Sequence, residues 1–478
     1  MALTNQIDAN FIDTNFILED RLDAHYYSNK FHDVEKKIKS TPFEVKKFID
    51  ISKKIKCGPF GSSVLAENYD ETGIIMVRPL NLKNVLLSND DLVRFPEKAL
   101  GNNFPKFKHE DLLFARVGVP SCSIIPKAFE CVTISPNIIA AELIENVDAY
   151  YIAAFLNTTF GLLQIERRFK AVSQPTVSTE EIKTLDIPLP DIKFQKYIGD
   201  KIRKAEYLRV EADQLIKTAE NQFKELLEIK KDSSIYNNNA GNQSLSSIKK
   251  PVLLYVNENE INERLDAQSF HPEYFDTVKQ VKDMRFPNIK LKDTLSYFDT
   301  GISSPTYSDK GFHIIMTKNL NNSFINMETK RVSEKEVPKD KLLNKNDVLL
   351  TTYGGPSIGK VDIWDIDKEA TFDYTIMRLD FNEEFSPHFM LLLLRSKFVQ
   401  NQIRYKIKGT TGITFVNPKD ILEVSIPKIP KELQNLISEY ITRSTECYYD
   451  SLKLIEDAKC IVGSLIEGTF DESEMAEM

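Results

Sequence analysis

The chain has 478 residues with 62 basic and 70 acidic side chains, and its formal net charge at pH 7 is −8. This length supports two or three domains with hydrophobic cores of their own. The acidic total argues against indiscriminate nucleic-acid binding but leaves room for a local basic surface. The first residues show no basic start and no apolar run, so no signal peptide is expected. The densest apolar segment, 389–394, is too short to cross a bilayer.

Five cysteines occur without any CxxC pair. An odd number of unclustered thiols predicts a reducing, cytoplasmic setting and argues against a disulfide framework or a zinc site. Six scattered histidines form neither HExxH nor HxH, so the sequence gives no metal-ligand motif.

The first 190 residues are predicted to form a mixed α/β domain. Its strand-like runs are Gly73–Val77, Asp111–Ala115, Ile124–Pro126 and Val132–Ile134, and a helix is predicted over Asp148–Arg168.

A long helix is predicted next, over 191–231. Its apolar residues recur at steps of three and four, among them Ile198, Ala205 and Ala212, and no proline follows Pro190. About 36 helical residues would span roughly 55 Å. Residues 232–262, rich in Asn and Ser, are predicted to be a flexible linker.

The second half repeats this organisation. A second α/β domain is predicted over 263–430, a second long helix over 431–468 and a tail over 469–478. The strand-like runs are Phe312–Thr317, Asp347–Thr352, Gly359–Trp364 and Thr371–Leu379, and a helix is predicted over Pro387–Tyr405.

An internal repeat at a spacing of about 240 residues supports this division. Gln195 and Ile198 of the first long helix match Gln434 and Ile437 of the second, and RLDA occurs at both 21–24 and 264–267. The segment IMVRPLN matches IMTKNLN, which places Arg78 opposite Lys318. We therefore predict a tandem duplication in which two long antiparallel helices form a coiled coil with pseudo-twofold symmetry.

Motifs for catalysis are weak. Gly354–Lys360 has the GxxxxGK spacing of a phosphate-binding loop, but Val361 follows where Ser or Thr is needed. The residues after it resemble a strand, so a turn between strands is predicted and a nucleotidase is the poorer alternative. GPFGSSV from Gly58 lacks the nucleophile-elbow pattern, and neither GxGxxG nor an amino-methylation tetrapeptide is convincing.

Polar and basic segments recur in both copies and are candidates for contacts to DNA phosphates and base edges. In the first copy they are the end of the helix near 168, the turn after the strand near 78, the opening loop near 56 and the end of the strand near 116. The other candidates are the corresponding segments of the second copy. The alternatives are ordinary C-terminal helix charge and polar surface turns. The candidate DNA-binding residues are Lys56, Ser62, Ser63, Arg78, Asn81, Arg116, Arg168, Lys170, Ser173, Gln174, Ser303, Lys318, Asn319, Tyr353, Lys406, Lys408, Thr410 and Thr411.

Several motifs together resemble one family. They are GPFGSS from Gly58, GIIMVRPLN from Gly73, DLLFARVG from Asp111 and IKTLDIPLP before the helix that opens with QKYIGDKI. In this duplicated order they resemble the specificity subunit of a type I restriction-modification system, over nearly the whole chain.

The resemblance implies a non-catalytic subunit with two target-recognition domains, each reading half of a split site in double-stranded DNA. It implies that the long helices set the half-site spacing and dock methyltransferase subunits, and that a restriction/translocase subunit joins them. S-adenosylmethionine, ATP and magnesium would belong to these partners, and this chain would bind no cofactor and no membrane.

Two alternatives stay open. The RLDA segments also resemble recognition domains of single-chain restriction-methylation enzymes and related phage-defence systems. The acidic balance and the long apolar seam also fit a two-headed protein-interaction scaffold without DNA binding.

Overall fold

A computed structural model describes residues 23–59, 69–70, 72–89, 91–96, 104–170, 175–227, 272–409 and 414–475. The chain divides into two compact units. Unit 1 comprises the described residues up to Val210 and from Asp450, and unit 2 comprises those from Glu211 to Tyr449. The predicted linker, 232–262, lies outside the described residues. None of the helices within the described ranges is both long enough and apolar enough to span a membrane.

Unit 1 is a mixed α/β fold. Its helices are α1 (Asn29–Lys39), α2 (Ala149–Leu156), α3 (Thr159–Arg168) and α4 (Thr179–Lys183), followed by the long helix α5 (Ile192–Leu226), which continues into unit 2. Its strands are β1 (Glu44–Lys47), β2 (Ser52–Cys57), β3 (Ile74–Val77), β4 (Val93–Phe95), β5 (Leu112–Ala115), β6 (Cys122–Ile124), β7 (Val132–Ile134), β8 (Ile138–Leu143) and β9 (Asp186–Leu189).

Unit 2 contains α6 (Pro272–Lys282), α7 (Pro387–Arg395), α8 (Lys397–Tyr405) and α9 (Pro418–Leu422). The second long helix, α10 (Lys431–Glu467), begins in unit 2 and ends in unit 1. The strands of unit 2 are β10 (Asn288–Lys290), β11 (Leu295–Thr300), β12 (Tyr307–Ser308), β13 (Phe312–Ile315), β14 (Lys330–Val332), β15 (Asp347–Thr351), β16 (Val361–Trp364), β17 (Ala370–Phe372), β18 (Ile376–Phe381) and β19 (Ser425–Pro427).

The two units share one sheet topology. Unit 1 has an antiparallel sheet in the order β2-β8-β5-β6, and unit 2 has β11-β18-β15-β16. A second sheet joins β4, β3 and β7, with β3 parallel to β7, and its counterpart joins β14, β13 and β17 with the same parallel pair. The pairs β1-β9 and β10-β19 also correspond. The predicted duplication of a mixed α/β domain is confirmed.

The central strands of these antiparallel sheets, β5 and β8 in unit 1 and β15 and β18 in unit 2, are almost wholly buried because their residues alternate between two cores. Leu112 and Phe114 of β5 pack with α2, whereas Leu113 and Ala115 pack against the β3–β7 sheet. Every residue of α2 is buried, as expected for a helix that is apolar all round.

Three predicted elements are each two elements in the structure. The helix predicted over Pro387–Tyr405 is interrupted at Ser396, whose hydroxyl donates to the Leu393 carbonyl. The helix predicted over 148–168 is two helices, because Asn157 donates to the carbonyls of Ala153 and Cys122 and Thr158 caps α3 by accepting from the Gly161 N–H. The strand predicted over 371–379 is also two elements. The Asp373 carboxylate accepts from the Thr375 backbone N–H and holds a turn between β17 and β18.

The long helices pack antiparallel within each unit. In unit 1 the rings of Phe194 and Phe470 lie 6.2 Å apart, whereas Arg209 Nε, further along α5, lies 3.4 Å from Ser451 Oγ. In unit 2 the Ser444 hydroxyl donates to the Ala212 carbonyl at 2.9 Å.

Small side chains let the two helix backbones approach closely. The buried residues of this kind are spaced by one heptad along each helix, as a coiled-coil seam requires. They are Ala205, Ala212 and Ala219 on α5 and Ser444, Ser451 and Ala458 on α10. The predicted antiparallel coiled coil is confirmed.

A buried glutamine ties each long helix to its globular fold. Gln195 Oε1 accepts from the Asp148 backbone N–H at 3.1 Å, and its Nε2 donates to the Pro190 carbonyl at 2.8 Å. Gln434 makes the equivalent bonds to the Ser386 N–H (2.9 Å) and the Ile429 carbonyl (2.8 Å). These bonds explain why Gln recurs at the start of both helices.

Replacing Gln434 with Met will lower the free energy of unfolding by about 1–3 kcal/mol, because the Ser386 N–H and the Ile429 carbonyl lose their partner while the side-chain volume is kept. Thermal and urea unfolding measure this loss. Gln214→Met, on the exposed face of α5, is the matched control and will stay within about 0.5 kcal/mol of the parent. Equal stabilities of the two variants would contradict this role of Gln434.

Candidate nucleic-acid interface

Four segments meet where strands β2 and β5 of unit 1 end. The N–H of Gly58 donates to the Ile138 carbonyl at 3.0 Å, and the N–H of Arg116 donates to the Asn137 carbonyl at 2.9 Å. The N–H of Gly118 donates to the Pro175 carbonyl at 3.3 Å. We call the described residues of 56–59, 116–121, 135–137 and 170–177 loop cluster 1.

The same four segments meet in unit 2. The Gly301 N–H donates to the Ile376 carbonyl at 3.4 Å, and the Thr352 N–H donates to the Thr375 carbonyl at 2.8 Å. The Gly354 N–H donates to the Thr414 carbonyl at 3.3 Å. We call the described residues of 300–303, 352–359, 373–375 and 408–416 loop cluster 2. Each bond of loop cluster 1 has its counterpart here, so the fold builds the same surface twice.

Close backbone packing requires a glycine at the base of each cluster. A Cβ on Gly58 would lie 2.0 Å from the Ser135 carbonyl oxygen, and one on Gly301 would lie 2.0 Å from that of Phe372. Close packing against the Ser135 carbonyl therefore explains why the GPFGSS motif begins with glycine.

Loop cluster 1 brings together three of the predicted cations. Lys56 is exposed at the end of β2, Arg116 lies with Nη1 3.8 Å from Cys57 Sγ, and the exposed Lys170 is 3.1 Å from Glu181. The structure thus brings the backbones of three distant parts of the sequence together at one edge of the fold.

Loop cluster 2 contains Tyr353, Lys408 and the exposed Ser303. Lys408 pairs with Asp420 at 2.8 Å, as Lys170 pairs with Glu181 in unit 1. Lys318 is exposed in the turn after β13, whose last residue accepts from the Asp373 N–H at 2.9 Å.

A short hairpin closes each cluster. Lys170 and Thr176 exchange two backbone hydrogen bonds of 2.8 and 2.9 Å, and Lys408 and Phe415 exchange two of 2.8 and 3.0 Å. Most of the predicted polar residues belong to the segment between these pairs or to the opening loop. Ser62, Ser63, Ser173, Gln174, Thr410 and Thr411 lie outside the described residues.

The predicted match of Arg78 with Lys318 was wrong. Asn81 Oδ1 accepts from the Arg78 N–H at 2.9 Å, and Asn319 Oδ1 accepts from the Met316 N–H at 2.9 Å. Because the two bonds are equivalent, Asn81 corresponds to Asn319. Arg78 therefore corresponds to Met316. Both asparagines are buried. We therefore remove them from the candidate interface, because their side chains hold the turn instead of facing solvent.

A cation lies over the ring of an equivalent tyrosine in both units. The Arg78 guanidinium carbon is 5.8 Å from the centre of the Tyr69 ring, and Lys330 Nζ is 3.8 Å from that of Tyr307. The sequence did not reveal Lys330, because it reaches this place from β14 and not from the turn after β13.

The predicted DNA-binding residue Arg168 is held within the fold by hydrogen bonds. Its guanidinium donates to the Gln164 carbonyl at 2.9 Å and to the Thr184 carbonyl and hydroxyl at 2.8 Å each, and burial lowers its pKa. It joins the ends of α3 and α4. Its counterpart Lys406 is half-buried, and burial lowers the pKa of its ammonium group.

The apolar side chains differ between the clusters. In loop cluster 2, Tyr353 stacks on Phe415 with 5.5 Å between ring centres and meets the exposed Tyr374 edge-on at 5.8 Å. Loop cluster 1 carries no aromatic ring at these positions, and its exposed apolar side chain is Val119. Only Tyr353 was singled out from the sequence.

A charged cleft of about 660 Å³ beside α1 and α3 shows a different arrangement. Arg167 lies 2.7 Å from Glu35, and Lys47 lies 2.6 Å from Asp186. Burial raises the pKa of Glu35, but the hydrogen bonds from Lys39 and Arg167 outweigh it and bring the pKa to about 2. These ion pairs hold α1 and β1 to the fold.

The GxxxxGK segment is a turn, as its sequence predicts. A 3-10 turn over Gly355–Ser357 leads into strand β16, so no helix N-terminus faces a phosphate. Among the residues that the structure describes, no group of three His, Cys, Asp or Glu side chains is placed to hold a metal ion.

No protein-family model matches the sequence, and no curated protein matches it. Among solved structures, the chain is similar to the S subunit of a type I restriction-modification system from M. genitalium, with 14% identity over 91% of this chain and 97% of that one and a TM-score of 0.44. It is also similar to the HsdS subunit of Thermoanaerobacter tengcongensis, with 12% identity over 90% of this chain and 97% of that one and a TM-score of 0.28. A structure described for assembly of a type I system matches with 12% identity over 90% and 99% and a TM-score of 0.30.

Arg168→Ala will lower the free energy of unfolding by about 1–2 kcal/mol, because the buried Gln164 loses a donor at its carbonyl and the link from α3 to Thr184 is removed. Lys170→Ala, two residues later, removes an exposed ammonium group that pairs with Glu181 and will change stability by at most about 1 kcal/mol. Urea unfolding of both variants measures the difference. Equal losses would show that Arg168 is not a structural anchor.

Proposed function

We propose that this chain is the DNA-recognition subunit of a type I restriction-modification complex, and that each loop cluster reads one half of a bipartite DNA site. The observation that carries the proposal is the doubled loop cluster, in which equivalent backbone hydrogen bonds support different side chains. A framework built twice with altered surface residues suits two half-sites of different sequence.

The chemistry of the clusters fits duplex DNA. Lys56, Arg116 and Lys170 all belong to loop cluster 1, although the chain as a whole has a net charge of −8. Cations of this kind neutralise phosphates and fix the register of a protein on the duplex. The hydroxyl, amide and ring groups of the clusters then supply contacts to base edges.

Catalysis would belong to partner subunits. The proposal assigns adenine methylation with S-adenosylmethionine to methyltransferase subunits, and ATP- and magnesium-dependent translocation and cleavage to a restriction subunit, in the cytoplasm. The exposed faces of α5 and α10 would dock the methyltransferases. This chain would contribute recognition alone.

Comparing methylomes of cells with and without this chain, each carrying the methyltransferase, tests the proposal. A bipartite methylated sequence that appears only with the chain is the expected result. If the methyltransferase does not co-purify with the chain and no methylated sequence depends on it, the recognition role is wrong and the scaffold alternative gains support.

Lys56→Ala and Lys170→Ala will each weaken DNA binding by the assembled complex. Each will also make the slope of log K against log salt concentration shallower by about 1, because one phosphate is no longer neutralised. Lys408→Ala will have the matching effect through loop cluster 2. Titrations at several salt concentrations measure both quantities. Lys53→Ala removes an exposed cation from the opposite end of β2 and is the control. If Lys53→Ala and Lys56→Ala weaken binding equally, the loop cluster is not the interface.

Inserting one heptad into each long helix, after Ala212 and after Ser444, will lengthen the preferred spacing between the half-sites by about three base pairs. Seven residues add roughly 10 Å of helix and keep the seam in register. Methylome sequencing reads the new spacing directly. The same seven residues inserted after Gly241, between the two copies, will leave the spacing unchanged. A heptad variant that keeps the parental spacing would refute a role of the helices as a ruler.

A further inference from the structure

Val119 is an apolar side chain held out into solvent. Val119 is 79% exposed, which is the largest exposure among the large hydrophobic residues that the structure describes. It lies at the tip of the loop between β5 and β6, within loop cluster 1. A single exposed apolar residue is ordinary, but this one lies in the same loop as Arg116 and beside the hairpin that begins at Lys170.

The loop that carries Val119 is held from both sides. Ala115 donates to the Ser121 carbonyl at 3.1 Å and closes the loop, and Gly118 donates to Pro175 of the adjoining hairpin at 3.3 Å. Gly118 has φ +87 and no atom within 4 Å of its Cβ position, so the backbone conformation and not crowding requires glycine there. The loop thus presents Val119 in a defined position instead of burying it.

Unit 2 lacks this feature. Gly354 makes the hydrogen bond equivalent to that of Gly118, so the residue that corresponds to Val119 is Gly355. Loop cluster 2 carries Tyr353, Tyr374 and Phe415 in place of an exposed aliphatic side chain. The protruding valine is therefore specific to loop cluster 1.

We propose that Val119 reads thymine in the half-site bound by unit 1, by packing its methyl groups against the C5-methyl group of the base. The inference rests on the proposed function. The thymine methyl group is the apolar group of the major-groove edge, and apolar side chains recognise it by contact. Burial of both groups removes apolar surface from water, which favours thymine over bases that lack the methyl group.

Substituting uracil for thymine tests the contact without altering the protein, because uracil differs from thymine only by the missing methyl group. The complex is titrated with its methylated site as duplex DNA, with each thymine of one half-site replaced in turn. The half-site of unit 1 is the one whose sequence changes in the methylome when residues 170–176 are replaced. One thymine position will show a loss of about three- to tenfold in affinity.

Val119→Ala completes a double-mutant cycle. The variant will bind the thymine site about three- to tenfold more weakly, and the uracil substitution will then have little further effect, because both changes remove the same interaction. Ile49→Ala, at an exposed apolar residue preceding β2, is the control and will leave the thymine-to-uracil ratio unchanged.

Three results would overturn the inference: a unit 1 half-site without an A·T pair, equal affinity for the thymine and uracil sites, or fully additive effects of the uracil and Val119→Ala changes. Failure of the proposed function would look different, because the complex would then bind its methylated site no better than an unrelated duplex.

Discussion

The buried glutamine at the start of each long helix is the contact on which the arrangement of each unit depends. Its amide oxygen accepts from the backbone N–H of the residue that caps α2 or α7, and its amide nitrogen donates to a carbonyl just before the long helix. Inside a low-dielectric core both bonds must be made together, since a half-satisfied amide is costly to bury. The apolar helix held in this way covers the four-stranded sheet, and the strand ends of that sheet carry the loop cluster. A continuous series of packed elements thus connects Gln195 to Lys56.

Much of this fold was predictable because long-range repetition and helical periodicity are properties of the sequence itself. The seam of α5 and its copy in α10 were predicted, and α5 and α10 begin and end within a few residues of the expected positions. The breaks at Asn157 and Asp373 were not, because a single side chain accepting or donating to the backbone outweighs the local propensity to continue. Hydrogen bonds to distant residues are also hidden from the sequence. Arg168 is predicted as a surface cation, and only the structure shows that it donates to the Gln164 carbonyl and to Thr184.

The register error at Arg78 has a physical reason. Letter-by-letter similarity favours Lys318 as its partner, but the parallel pairing of β3 with β7 and of β13 with β17 fixes Met316 there. The cation that the sequence comparison sought is nevertheless present, because Lys330 approaches Tyr307 from another strand. Side chains from different segments can fill one position in space, and a sequence repeat does not record such exchanges.

The two copies therefore keep the same backbone framework but differ in some of the side chains that it carries. Lys56, exposed at the end of β2, corresponds to Asp299, which turns inward between Arg378 and Lys341 at 2.8 Å from each. In contrast, Lys170 with Glu181 and Lys408 with Asp420 keep the same ion pair beside the same hairpin. An acidic partner positions each lysine and also offsets its charge, so a phosphate that binds there must compete with a carboxylate. Under the proposed function, such an ion pair would weaken sequence-independent attraction to DNA and would leave discrimination to the residues that differ between the clusters.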